Sequence, residues 1–235
     1  MKNVQKNSHD KKFTALVVYG LVAFWFAFQL MMGSQGRYAA GPQKPPLALG
    51  LALVVPISFF IIAYARRSFI WAFCQSLDLR LIVAVHLWRV IAIDFLLCAA
   101  EGRLPAGFAL PAGLGDIITG LAAIPLALGL SSGAVWVKKG WVAWNIFGLL
   151  DLVSAVSLGI LYSGSRLGIL AGPGHTTQLM VELPRSLIPT FLVPLFILLH
   201  LLALARRKEV AAFQRKENEN QPSVSSEPMP VVTSH

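Results

Sequence analysis

Long apolar runs separated by short polar segments dominate this chain. About 20 predominantly apolar residues are needed for a helix to cross a bilayer. Runs of that kind cover residues 13–32, 47–65, 81–100, 113–130, 140–162 and 187–205. We therefore predict an all-α integral membrane bundle of six transmembrane helices spanning residues 13–206. A polar arm at 1–12 and a mostly disordered tail at 207–235 are expected to flank it.

The segments between the runs carry their own local signals. Residues 68–80 mix aromatic with polar side chains, which predicts a short interfacial helix between spans 2 and 3. Residues 101–112 are rich in Gly and Pro and predict a turn, either ordinary or re-entrant. Within the sixth run, Pro189 and Pro194 are expected to bend the helix and to free backbone carbonyls for a partner or water.

Composition and charge support a membrane protein rather than a soluble one. Hydrophobic residues make up 56% of the chain and charged residues 13%. The net charge of +9 would suggest nucleic acid in a soluble protein, but here the basic residues flank apolar runs, so no nucleic-acid partner is expected beside the lipid bilayer. The Lys and Arg bias places both termini in the cytoplasm. The two cysteines, Cys74 and Cys98, should lie near opposite faces, and no metal-ligand spacing occurs.

Several ionisable and polar side chains lie inside the apolar runs, where each needs a partner or a wet surface. Arg89 and Asp151 lie at similar depth and are predicted to pair across spans 3 and 5. With Asp94, Asp116 and Asn145 they would line a polar intramembrane cavity. Structurally, such a pair fixes helix packing; functionally, the cavity would handle a small solute, an ion or a proton. This pattern favours a non-enzymatic protein.

Two histidines, His86 and His200, are predicted to lie at equal depth near the cytoplasmic boundary. Two imidazoles on different helices can be axial ligands of a b-type haem, which would make the protein a redox protein. They can also relay protons. The remaining interpretation is that each histidine bonds a neighbouring helix. No other cofactor and no metal centre is predicted.

Residues 113–116 read Gly-Leu-Gly-Asp. This string is similar to the GxGD motif of intramembrane aspartyl proteases, including prepilin peptidases and presenilin-like enzymes. That resemblance implies a catalytic Asp116, with Asp94 as the second carboxylate of a proton-sharing pair. The likeness covers four residues, and no companion Pro-Ala-Leu motif follows. Alternatively, Gly113 and Gly115 permit a tight turn, and Asp116 caps the fourth span.

A broader resemblance extends from Leu81 to Ala205. It is carried by four strings: HLWR, LPAGFALPAGLGD, WNIFGLLDL and LIPTFLVPLFILLHLLAL. Together they resemble a group of small multi-pass bacterial membrane proteins that are mainly uncharacterised. The resemblance implies the multi-pass fold and a location in the bacterial inner membrane. It implies no activity.

Overall fold

The computed structural model describes residues 2–210 and 212 of the chain. Within that part the fold is all-α, and six helical segments are long and apolar enough to cross a membrane. These are Lys12–Ser34, Leu47–Ala65, Leu79–Ala100, Ala106–Ser131, Val137–Leu161 and Ile188–Ala205. The prediction of a six-span helical membrane bundle is therefore confirmed.

The first two helices lie at the periphery of the bundle. Helix α1 covers Lys2–Ser34 and helix α2 covers Leu47–Ala65. Few residues of the first span and none of α2 are buried, as expected for lipid-facing helices. Within the predicted arm at 1–12, the residues from Lys2 onward are helical and continue into the first span without a break. Residues 207–210 of the predicted tail are helical, and apart from residue 212 the rest of it lies outside the described residues.

A short helix, α3 (Phe69–Ser76), joins the second and third spans as predicted. Its first turn is capped by the Ser68 hydroxyl, which accepts from the Ile70 amide. Its last carbonyls are bonded from far along the chain, since Arg206 Nη1 donates to Cys74 O at 3.0 Å and Leu77 O at 2.7 Å. Arg206 is thereby buried and ties the end of the sixth span to α3.

Cys74 is a buried free thiol in α3. Burial disfavours the thiolate and raises the pKa of Cys74 from 9.0 to about 11. Alkylation proceeds through the thiolate, so at pH below 9 the native thiol should react about a hundredfold more slowly than an unperturbed one. The test is the iodoacetamide rate of a Cys98→Ala variant, native against unfolded. Equal rates would contradict the burial of this thiol.

The third span is not one regular helix. It consists of α4 (Leu79–Ala84), a 3₁₀ segment (Val85–Ala92) and α5 (Ile93–Ala100). Three residues per turn place positions i and i+3 above one another. His86, Arg89 and Ala92 accordingly share one face, and all three are buried. The 3₁₀ segment therefore directs a histidine and an arginine into the bundle together.

The fourth span departs most from expectation. Helix α6 covers Ala106–Ser131, so the connection from the third span is only residues 101–105. The predicted turn at 101–112, ordinary or re-entrant, is wrong, and Asp116 lies inside the helix instead of capping it. Pro111 is accommodated within α6, as prolines are where neighbouring membrane helices provide support. Gly113 and Gly120 serve packing: a Cβ at Gly113 would lie 2.8 Å from a Leu96 methyl, in the third span.

The fifth span is α7 (Val137–Leu161), and a long loop with a 3₁₀ turn at Gln178–Val181 leads to the sixth. The sixth span begins with a π-helical segment, Ile188–Leu192, and continues as α8 (Val193–Ala205). Pro194 lacks the N–H that would bond the Thr190 carbonyl in a regular helix. Gln29 of α1 donates to that carbonyl at 3.0 Å, and the Tyr38 hydroxyl donates to Gln29 in turn. The prolines of this span predicted backbone carbonyls that are free to bond a partner, and the Thr190 carbonyl, bonded by Gln29, is one of them.

Candidate functional site: a buried ion centre

Arg89 is the central residue of a polar cluster inside the bundle. Its side chain is fully buried, and its Nε donates to Asp116 Oδ1 of α6 at 2.6 Å. Its Nη2 donates to Asp151 Oδ2 of α7. Three spans thus meet through one guanidinium. The predicted contact between Arg89 and Asp151 is present, and Asp116 joins it as a second carboxylate.

The remaining nitrogen of the guanidinium, Nη1, is hydrogen-bonded to a histidine. Arg89 Nη1 lies 3.0 Å from His200 Nε2, and arginine can only donate, so this nitrogen accepts. The ring proton of a neutral His200 is then on Nδ1, which donates to Asn145 Oδ1 at 2.9 Å. Asn145 Nδ2 donates in turn to the Trp141 carbonyl at 2.7 Å. We call Arg89, Asp116, Asp151, His200 and Asn145 the ion centre.

Two glycines of adjacent spans make room for this cluster. A Cβ at Gly148 of α7 would lie 2.5 Å from His200 Cε1 and 3.1 Å from Arg89 Nη1. A Cβ at Gly115 of α6 would collide with the Asp151 carboxylate. Sequence reasoning assigned neither role. A glycine three positions before an intramembrane carboxylate, as at 148, is a signal that could have indicated close approach.

His86 lies beside the ion centre in an aromatic environment. Its ring centroid is 4.1 Å from that of His200, 4.8 Å from Trp144 and 5.2 Å from Phe196. It is fully buried, and neither ring nitrogen has a hydrogen-bond partner among the described residues. The two predicted histidines are therefore neighbours, but both nitrogens of His200 are engaged elsewhere.

This arrangement does not fit a haem held between the two histidines. Axial ligands stand on opposite sides of the macrocycle, so their rings must be separated by it. Here the rings of His86 and His200 are in direct contact. In addition, His200 Nε2 accepts from Arg89, which leaves it no lone pair for iron.

Asp94 lies apart from the ion centre. Both of its oxygens accept from Arg185, at 2.6 Å and 2.8 Å, in a partly exposed pair. The expectation that Asp94 lines the same cavity as Arg89 is therefore wrong, because an arginine just before the sixth span engages it. Asp94 and Asp116 each bond a different arginine, so these two candidate catalytic carboxylates do not form the proton-sharing pair that the GxGD resemblance implies.

Two tryptophans of α7 hold the helices around the centre. Trp144 Nε1 donates to the Thr119 carbonyl of α6, and Trp141 Nε1 donates to the Ala203 carbonyl of α8, both at 2.9 Å. Both rings are buried. Their indole N–H groups therefore connect α7 to its neighbours on two sides, which stabilises the packing around Asn145 and His200.

An open cavity of about 430 Å³ reaches the ion centre from one end of the bundle. Its walls come from the first half of α2, the last turns of α7, the loop that follows α7 and the start of the sixth span. Asp116 is the one member of the ion centre that lines it. A separate space of about 10 Å³ lies beside Arg89 and Asp116, at the lower limit for one water molecule.

The fold and the site together define a multi-pass membrane protein with a buried cluster of one arginine, two carboxylates and a histidine. The chain belongs to the family described as a domain of unknown function (DUF8737), which matches residues 46–206. That range contains the predicted resemblance from Leu81 to Ala205 and the whole ion centre. No curated protein and no solved structure is detectably similar to the chain.

Proposed function

We propose that this chain is a non-enzymatic membrane protein that takes up and releases a proton at the ion centre, as part of handling a small solute or ion. One observation carries the proposal. A single guanidinium, that of Arg89, serves the two carboxylates of Asp116 and Asp151 in the membrane interior.

The charge of the ion centre explains why it would bind a proton. With both carboxylates ionised and His200 neutral, the cluster carries one uncompensated negative charge. Such a charge in hydrocarbon costs several kcal/mol unless a proton or another cation neutralises it. A purely structural ion pair needs only one carboxylate for one arginine. The second carboxylate therefore favours proton exchange over a purely structural role.

Access supports the same proposal. Asp116 lines both the open cavity and the small space beside Arg89, so a proton can reach its carboxylate without crossing the packed core. The other carboxylate, Asp151, is bonded through the same guanidinium. The two acids thus form one unit in which occupancy of one affects the other.

We propose the bacterial inner membrane as the location, with both termini in the cytoplasm, on the basis of charge and resemblance. Basic residues flank the spans on the side that holds both termini, which supports cytoplasmic termini. The resemblance to multi-pass bacterial proteins supports the bacterial inner membrane. The open cavity would then face the opposite, outer side, together with the loops at 35–46 and 162–187.

The proposal is tested by following carboxyl protonation with difference infrared spectroscopy on protein in nanodiscs. Between about pH 4 and pH 9, the range that spans perturbed acids, a protonated carboxyl band should weaken as pH rises. Asp116→Asn and Asp151→Asn should each remove the titrating band. Asp94→Asn is the matched control, because Asp94 is bonded to Arg185 outside the centre, and it should leave the band in place. Surface carboxyl groups are ionised above about pH 6, so the absence of a titrating carboxyl band above that pH, or its persistence in both Asn variants, would refute proton exchange.

A further inference from the structure

The open cavity beside α2 has more room than the proposed proton exchange needs; we call it the lateral cavity. At about 430 Å³ it falls in the range of ligand pockets, about 300–1,000 Å³. We propose that it binds a lipophilic organic cation, whose apolar body fills the cavity and whose positive group lies at Asp116.

The walls define the apolar part of the ligand. Most of the lining side chains are aliphatic or aromatic, among them Leu53, Phe108, Val156 and Val193. Burying apolar surface against such walls contributes roughly 25 cal/mol per Å². Polar groups are concentrated in the loop after α7, where Ser163 and Ser165 contribute to the lining. A compound that is apolar over most of its surface fits this distribution.

The ion centre defines the charge of the ligand. Asp116 is the charged residue that lines the lateral cavity, and Arg89 behind it is shared with Asp151. The net negative charge there attracts a monocation and repels an anion, and low-dielectric walls strengthen both effects. This step rests on the same charge imbalance as the proposed function, but does not require that a proton ever exchanges.

The route of entry also fits a compound that partitions into lipid. Several lining residues are exposed on the outside of the bundle, including Leu51, Val54 and Leu167. The cavity is therefore open beside α2, a helix none of whose residues is buried. A ligand dissolved in the membrane can reach Asp116 through this side.

The test uses tetraphenylphosphonium as the probe and tetraphenylborate as its control. The two ions have nearly the same shape and apolar surface but opposite charge. We compare the binding that exceeds partition into empty phosphatidylcholine nanodiscs, because the interfacial dipole potential of the lipid itself favours the anion. In that excess we expect saturable tetraphenylphosphonium binding to the full chain, and at least tenfold weaker binding of tetraphenylborate. Equal binding of both ions would show partition into apolar surface and overturn the proposal. Preference for tetraphenylborate would indicate a site for anionic lipid instead.

A matched pair of variants on α7 locates the probe. Val156 lines the lateral cavity, whereas Val153, one turn away, is exposed and does not line it. Val156→Trp should weaken tetraphenylphosphonium binding at least tenfold by filling the cavity, and Val153→Trp should leave it unchanged. Equal effects of the two variants would overturn the assignment. Asp116→Asn, where it folds, should weaken binding of the cation as well.

Protons and the organic cation should compete for the carboxylates of the ion centre. This links the lateral cavity to the proposed function, but each of the two proposals can still fail without the other. The charged and titratable groups around Asp116 are Arg89 from the third span, Asp151 from α7 and, beyond Arg89, His200 from the sixth span. The sixth-span side chains that line the small space beside Asp116 are apolar. Binding of the cation should therefore weaken as pH falls and the carboxylates take up protons. Cation binding that depends on Val156 without a titrating infrared band would refute proton exchange alone. A titrating band without cation binding would refute the lateral cavity site alone.

Discussion

Replacing Arg89 with Ala should destabilise the protein by about 3–5 kcal/mol, because it leaves two buried carboxylates without their cation. The variant also loses the donor to His200 and the contact with the Phe196 ring, whose centroid lies 5.8 Å from the guanidinium carbon. The free energy of unfolding in mixed micelles, measured by SDS titration, reports this loss. Little change would mean that the carboxylates are neutral in the native protein.

Two further variants separate charge from packing at Arg89. The triple variant Arg89→Leu, Asp116→Asn, Asp151→Asn removes the cation and both anions together, so it should recover a large part of the lost stability. Arg103→Ala is the surface control. Arg103 pairs with Glu101, both side chains are about half exposed, and such pairs contribute roughly 0–1 kcal/mol. If Arg103→Ala lowered the free energy of unfolding as much as Arg89→Ala, the burial of Arg89 would not explain its effect.

Gly148→Ala should destabilise the ion centre directly, with a cost of about 3 kcal/mol. The added Cβ would lie 2.5 Å from His200 Cε1, and His200 cannot move aside easily because both ring nitrogens are hydrogen-bonded. The same unfolding measurement reports the loss. The ¹⁵N chemical shifts of the His200 ring should also change, since the contact between Nε2 and Arg89 has to open.

Gly20→Ala is the matched control in a membrane helix. Nothing lies within 4 Å of a Cβ at that position, so the new methyl group meets open space. Alanine favours a helix over glycine by up to about 1 kcal/mol, and stability should be unchanged or slightly higher. A loss at Gly20 equal to that at Gly148 would attribute the effect to glycine in general and not to the ion centre.

The sequence was sufficient for the spans and for part of the ion centre. Hydropathy alone delimits the six spans to within a few residues, except at the start of α6. The contact of Arg89 with Asp151 could be anticipated because a charge in hydrocarbon needs a partner at the same depth. Two histidines at equal depth likewise lie side by side.

The rest of the ion centre could not be predicted, because it depends on where helices begin, on local helix type and on which distant side chains pair. The sequence predicts Asp116 in the polar cavity, or as a cap of the fourth span, but not its direct bond to Arg89, because α6 begins at Ala106 and carries Asp116 in its interior. The sequence places Asp94 in the polar cavity, because nothing in it links Asp94 to its partner Arg185, 91 positions away. The 3₁₀ segment that aligns His86 with Arg89 has no signature in hydropathy. Its backbone lies close to α6 at Gly120, where a Cβ would be 3.1 Å from the His86 carbonyl oxygen.

The bond from Gln29 to the Thr190 carbonyl has a consequence for biosynthesis. It joins positions 161 residues apart, in α1 and in the sixth span. The carbonyl is available because Pro194 has no N–H to offer it. Because synthesis proceeds from the N-terminus, α1 is made before the sixth span, and Gln29 lacks this hydrogen bond until the ribosome has delivered that span.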